Sequence, residues 1–204
     1  MTEESKRKPK SALLLVATLW LGGIGAGSLA LLDHEFAAGQ PNEAPVALPA
    51  QLAPFASPQK PLTLFMAVHP DCPCTGASLE QVDRLIARNP DSIQVVGLVR
   101  SAPDAELRDN SYWKRLQAMP HARAVADIDG ELASLLGTHV SGATIAYDPD
   151  GHLRFQGGMT ASRGHAGPSR GMDDLEAIAR QLAPLDLCST PTFGCSLENA
   201  SDLL

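Results

Sequence analysis

Residues 62–89 read LTLFMAVHPDCPCTGASLEQVDRLIARN. An unbroken apolar run, residues 62–68, passes through a short loop with two cysteines into a segment whose Leu79, Val82, Leu85 and Ile86 share one helical face. A continuous apolar run without alternation marks a strand covered on both faces. Spacings of three and four mark an amphipathic helix. Ser78-Leu79-Glu80-Gln81 has the form of a capping box, which sets the expected helix start near Ser78. The unit is a buried strand, a cysteine loop and a helix.

Working outward, the pattern continues. Residues 93–100 (IQVVGLVR) read as a second buried strand and residues 104–118 as a polar, exposed helix with Trp113 in packing. A third strand follows at 122–129, then a short helix at 131–136 ended by Gly137. Residues 143–158 (ATIAYDPDGHLRFQGG) read as a hairpin turning at Asp148-Pro149-Asp150-Gly151, where Pro and Gly each suit a tight turn. Residues 172–183 form a last amphipathic helix. Strands alternating with helices, then a hairpin and a closing helix, predict an α/β fold with a mixed sheet flanked by helices.

Ahead of this body, residues 11–32 carry no charge, while Lys6, Arg7, Lys8 and Lys10 stand just before them. A helix of that length spans roughly 30 Å, the thickness of a bilayer core. The basic residues then leave the N-terminus in the cytoplasm and the rest of the chain in the periplasm. A cleaved signal peptide is the competing reading, since small-residue stretches at 26–30 and 35–39 allow cleavage. The expected organisation is a basic tail (1–10), a single transmembrane anchor in a bacterial inner membrane (11–32), an Ala/Pro-rich linker acting as a semi-extended spacer (33–60), the folded domain (61–185) and a cysteine-containing tail (186–204).

Net charge is −7 over 204 residues, and only 4% are aromatic. An acidic body without a stacking platform excludes a nucleic-acid binder. No Ser-His-Asp order, phosphate-cradling glycine loop or HExxH is present, so hydrolase and nucleotide-dependent functions have no foothold.

The four cysteines, Cys72, Cys74, Cys188 and Cys195, all follow the apolar segment, on the side of a membrane where disulfides persist. Cys74 stands at a helix N-terminus, whose unpaired N–H groups favour a thiolate, the species that attacks disulfides. A disulfide between Cys72 and Cys74 would close a tight ring stiffened by Pro73, so a tail cysteine, Cys195 or Cys188, is an equal candidate as resolving partner. Cys188 and Cys195 bridged to each other is the structural alternative. A soft-metal site is the rival reading of the motif: Cys72 and Cys74 with His69 as third ligand suit copper or zinc. His121, His139 and His152 read as ordinary surface or turn residues.

A buried strand, a cysteine pair at the mouth of the next helix and a later hairpin closed by a helix together resemble the thioredoxin-like fold. The anchored layout resembles membrane-bound thiol-disulfide oxidoreductases of the TlpA/ResA type. HPDCPCT (69–75), GGMTASRGHAG (157–167) and TPTFGCSL (190–197) are similar to bacterial RedB-like proteins. The resemblance implies thiol-disulfide exchange on protein clients, without a cofactor, with Cys72 attacking and Cys74 resolving. Two departures touch the chemistry: the motif is CxC where the family has CxxC, and Gly142 falls where the family carries a cis-proline facing the cysteines. Thr75, Arg163 and His165 are further expected to line the site. The runner-up function is a copper-binding, metallochaperone-like domain, and a thiol peroxidase, for which Thr75 would serve, is the third.

Overall fold

The computed structural model describes residues 8–103, 106–182 and 186–198. It divides into two units, residues 1–37 and 38–204. Within the first, the described residues form one helix, α1 (Lys8–Phe36), whose residues 10–36 are long and apolar enough to cross a membrane. Leu13, Trp20, Ile24 and Leu31 are all exposed, as a membrane span or a signal sequence would have them.

The second unit is built on a six-stranded sheet in the order β3-β2-β1-β4-β5-β6. Central strand β1 (Leu62–Val68) is buried at every position, as its unbroken apolar run requires. It pairs in parallel with β2 (Ile93–Ser101), which pairs in parallel with β3 (Ala122–Ile128). On its other side β1 pairs antiparallel with β4 (Thr144–Tyr147), and β4 with β5 (Leu153–Gly157), the two arms of the hairpin. At the turn, Asp148 Oδ1 accepts the N–H groups of Asp150 and His152, and Gly151 adopts a φ of 81°. A short β6 (Cys188–Ser189) adds in parallel to β5.

Helices α2 (Thr75–Arg88), α3 (Ser111–Ala118) and α5 (Arg170–Ala179) supply one face of the core, where Leu64 and Met66 meet Val82, Leu85, Leu116, Leu175 and Ile178. On the opposite face Phe65, Val96, Leu98, Ile145 and Tyr147 pack with Leu136, just past α4 (Glu131–Leu135), and with Leu52.

Leu52 belongs to the stretch expected to be a spacer, and here the structure differs. From residue 38 on, that stretch is part of the domain. Leu52 is fully buried, and Ala44, Leu48 and Phe55 pack beside it. Its backbone is tied down by Glu43 N–H to the Gly137 carbonyl (3.0 Å), Leu48 N–H to Gly151 (2.9 Å) and Leu153 N–H to Val46 (2.9 Å). Gly137, at φ 60°, leaves the space this needs: a Cβ there would lie 2.3 Å from the Glu43 carbonyl oxygen. Irregular chain buried this way must satisfy its polar groups on the fold it covers, and prolines, lacking N–H groups, reduce that demand.

Two boundaries also shift. Helix α2 begins at Thr75 with Cys74 as its N-cap, so Ser78 and Gln81 lie buried inside the helix instead of capping it. The polar helix expected at 104–118 is a 3₁₀ turn (Leu107–Asp109) followed by α3; residues 104 and 105 lie outside the described ones. The last helix begins two residues earlier than expected and ends at Ala179; residue 183 is not described.

Candidate functional site

Strand β1 ends at Val68, and the chain turns through 69–74 to deliver both cysteines to the N-terminus of α2. Three backbone bonds shape the turn: Cys72 N–H to the His69 carbonyl (3.2 Å), Thr75 N–H to Cys72 (3.1 Å) and Ala77 N–H to Cys74 (3.1 Å). Cys72 is buried and Cys74 half-buried, with Pro73 between them.

Two neighbouring elements hold this loop. Asn110 caps α3 by accepting the Tyr112 and Trp113 N–H groups, and its side-chain amide donates to the Pro70 carbonyl at 3.2 Å. The Tyr112 hydroxyl donates to the Cys72 carbonyl at 3.0 Å. From the other side Ser141, fully buried, accepts the His69 N–H (2.9 Å) and pairs its hydroxyl with that of Thr75 (2.9 Å). None of Asn110, Tyr112 and Ser141 was singled out in the sequence. An Asn ahead of a helical pattern is a readable cap signal; nothing around Ser141 distinguishes it.

The tail completes the site. The antiparallel bridge Val140–Ser196 and the bonds Ser141 N–H to Cys195 carbonyl (2.8 Å) and Leu197 N–H to His139 carbonyl (2.8 Å) lay residues 194–197 along 139–141. Cys195 thereby reaches the loop: the sulfurs of Cys72, Cys74 and Cys195 all lie within 4.8 Å of one another. Arg163, on the loop after β5, donates to the Gly194 carbonyl. That loop is pinned to α2 by Gln81, whose amide donates to the Met159 and Gly167 carbonyls.

The electrostatics separate the three thiols. Burial alone would raise the Cys72 thiol. Hydrogen bonds to its sulfur from the Cys195 thiol and N–H, the Cys74 N–H and the Thr75 hydroxyl outweigh that, and its pKa is lowered. Cys74 is raised by burial and by the neighbouring Cys72 charge, partly offset by Arg163. Cys195 is pushed up to about 12 by burial and by donating its hydrogen bond to Cys72. The arrangement favours ionisation at Cys72 over its two neighbours, and a thiol that ionises more readily beside two that hold their protons can take part in thiol-disulfide exchange.

The remaining expectations divide. Arg163 borders the cysteines. His165 is exposed, and its Nδ1 contacts the Ser162 hydroxyl and the Arg163 carbonyl of its own loop. His69 contributes backbone to the site, while its Nδ1 accepts the Asp71 N–H at 3.1 Å; the sulfur cluster does not include it, so the expected Cys72-Cys74-His69 ligand set gives way to three cysteines. Gly142, at φ 89°, sits behind the site: its N–H donates to the Ala67 carbonyl (2.7 Å), and a Cβ there would meet the Ser78 hydroxyl at 2.7 Å. Ser141, one residue earlier, faces the cysteine loop in its place. Cys188 is also elsewhere. In β6 it pairs with Phe155 and packs at the helical face of the core, where burial and the Asp174 carboxylate raise its thiol; it is not in the three-sulfur cluster, and Cys188 and Cys195 are both free thiols.

No family model and no curated protein matches the sequence. Solved structures do. A hypothetical protein from Sinorhizobium meliloti is similar at TM-score 0.55 and 18% identity, over 79% of this chain and 93% of its own. An uncharacterized conserved protein from Geobacillus kaustophilus is similar at TM-score 0.56 and 16% identity, over 80% and 92%. A secreted disulfide oxidoreductase of Mycobacterium tuberculosis, homologous to E. coli DsbE, gives 0.42 and 16% over 61% and 84%. The chain shares the fold of the first two: a six-stranded mixed sheet flanked by helices, here with a cysteine pair where β1 hands over to α2.

Proposed function

We propose that this chain is a membrane-tethered thiol-disulfide oxidoreductase whose domain works on protein clients in the periplasm. One observation carries the chemistry: three cysteine sulfurs within 4.8 Å, with hydrogen bonds from its neighbours lowering the pKa of one of them, Cys72. The Cys72 thiolate attacks one sulfur of a client disulfide. A Cys72–client disulfide forms, and the client's other sulfur leaves as a thiolate that takes up a proton. A second cysteine of the chain, Cys74 or Cys195, loses its proton and attacks Cys72, releasing the client as a dithiol and leaving the chain as a disulfide. Two electrons pass to the client; the same steps reversed oxidise it. Tethering is supported by the apolar helix behind a basic N-terminal segment, a charge asymmetry that favours a cytoplasmic N-terminus. The three motifs similar to RedB-like proteins all surround this site.

The test is a glutathione redox titration of the full chain in detergent, followed by alkylation and peptide mapping. Cys72 should move reversibly between thiol and disulfide, bonded to Cys74 or Cys195. If Cys72 stays a thiol throughout, the exchange function falls.

A second reading is favoured by the same three sulfurs. Thiolates are the donors Cu(I) prefers, and Cys72, Cys74 and Cys195 would together hold one such ion. Anaerobic Cu(I) titration of the reduced chain against a competing chelator should then show one ion per chain, lost in Cys195→Ala; no retained copper eliminates it.

A further inference from the structure

The tail segment that brings in Cys195 is held in two different ways. Up to Thr192 it is fastened to the body of the domain: Thr190 N–H donates to Gln156 (3.1 Å), Gly158 N–H to Pro191 (3.3 Å), Gly39 N–H to Thr192 (2.9 Å), and the Asn42 amide to the Thr192 hydroxyl (3.1 Å). Beyond Phe193 the tip, 194–197, is held among the described residues by contacts at the cysteine site and in an adjoining apolar recess. It lies as one short antiparallel strand, through two backbone bonds to 139–141, the Arg163 bond to the Gly194 carbonyl, and Leu197, which is 4% exposed among Ala67, Ala133 and Ala143. Backbone pairing of this kind is blind to which chain supplies the strand, whereas side-chain pockets choose among sequences.

We propose that the tip occupies the seat of the client polypeptide, and that its sequence, Gly194-Cys195-Ser196-Leu197, reports what the seat accepts: an extended segment with glycine before the reacting cysteine and an aliphatic residue two positions after it. The inference rests on the exchange function proposed above and names its substrate class. Each requirement has its own physical source. The Ser141 N–H and His139 carbonyl set the register that brings the strand's cysteine to Cys72 and Cys74. A Cβ on Gly194 would stand 2.0 Å from the Ser141 carbonyl oxygen and 3.1 Å from Val140 Cγ1, so the backbone approach excludes any larger residue there. The alanine-lined recess takes the Leu197 side chain, and a charged group in it would lie desolvated and unpaired. A client enters only when the tip swings out about its fastened base.

The test uses the full chain in detergent with Cys195→Ser, so that only Cys72 and Cys74 face an incoming sulfur. The probe is the nonapeptide TPTFGCSLE with its cysteine joined to thionitrobenzoate. Attack by Cys72 on the peptide sulfur forms the protein–peptide disulfide and expels the coloured thiolate, which gives the rate. Three results are expected. The peptide with Val for Gly before the cysteine reacts at least about tenfold slower, as does the peptide with Asp for Leu. Adding Gly194→Val to the protein, which unseats the tip, accelerates the native peptide about tenfold, and Leu197→Asp does the same. The rate with a small aromatic disulfide does not rise in the tip variants, because unseating the tip also withdraws the hydrogen bonds that residue 195 gives Cys72. Equal rates for all three peptides, or no acceleration in both tip variants with unfolding temperatures unchanged, overturn the client seat. Failure of Cys72 to react even with the small disulfide overturns the exchange function itself, so the two failures are distinct.

Discussion

Residues 38–60 and 187–198 both lie outside the strand-and-helix pattern, one before it and one after, and both end up inside the domain. They are put to different uses. The first fills core: Leu52 is buried in one cluster with Tyr147 and Phe65, and Arg123 stacks its guanidinium over Phe55 at 5.1 Å. The second fills the site, setting Cys195 against Cys72. Even within the second segment the two cysteines part company, Cys188 entering the sheet edge and Cys195 the three-sulfur cluster. A segment without periodicity of its own can therefore carry stability or chemistry, and the distinction is measurable.

The largest expected effect is on stability. Leu52→Ala removes a fully buried side chain and should cost about 2–5 kcal/mol, read as a lower midpoint in denaturant. The rate of Cys72 alkylation should not change. A free spacer would show no loss of stability, and that outcome would erase the comparison.

Cys195→Ala does the converse. It removes a thiol hydrogen bond to the Cys72 thiolate, so alkylation of Cys72 at neutral pH should slow on the order of tenfold, the weight of one hydrogen bond to a charged group. The unfolding midpoint should hardly move.

The pH dependence of alkylation sharpens the contrast further. With its pKa lowered, Cys72 stays a thiolate, and reactive, below the ordinary thiol range, losing reactivity only as pH falls through its own pKa. Cys188, raised by burial and by Asp174, should gain reactivity only at alkaline pH. Mass-resolved labelling across pH separates the two; coincident profiles would contradict the site electrostatics.

The smallest effect belongs to Cys188→Ser. With no part in the cluster and a half-buried position, it should shift neither the Cys72 profile nor the redox-active disulfide, and stability should change by less than about 1 kcal/mol. A vanished disulfide in this variant would place Cys188 in the chemistry after all.

Sequence alone determined the framework: the strands at 62–68, 93–100 and 122–129, each to within a residue, the hairpin around Asp148, the amphipathic helices, the apolar N-terminal helix, and a cysteine pair where a buried strand meets a helix. These features are local. Periodicity, turn residues and continuous apolar runs each act over a few neighbours, and each leaves its mark in the composition of a short window. Tertiary structure decided the rest. Leu52 became core because one sheet face needed covering; Ser141, Asn110 and Tyr112 became supports because the fold carries distant loops to the cysteines. The sequence offered Cys195 and Cys188 alike as partners for Cys72, and the choice of Cys195 came through two backbone bonds to residues 139–141. Backbone groups are the same at every residue, so a contact made through them leaves no trace in the sequence until the fold has brought the two stretches together.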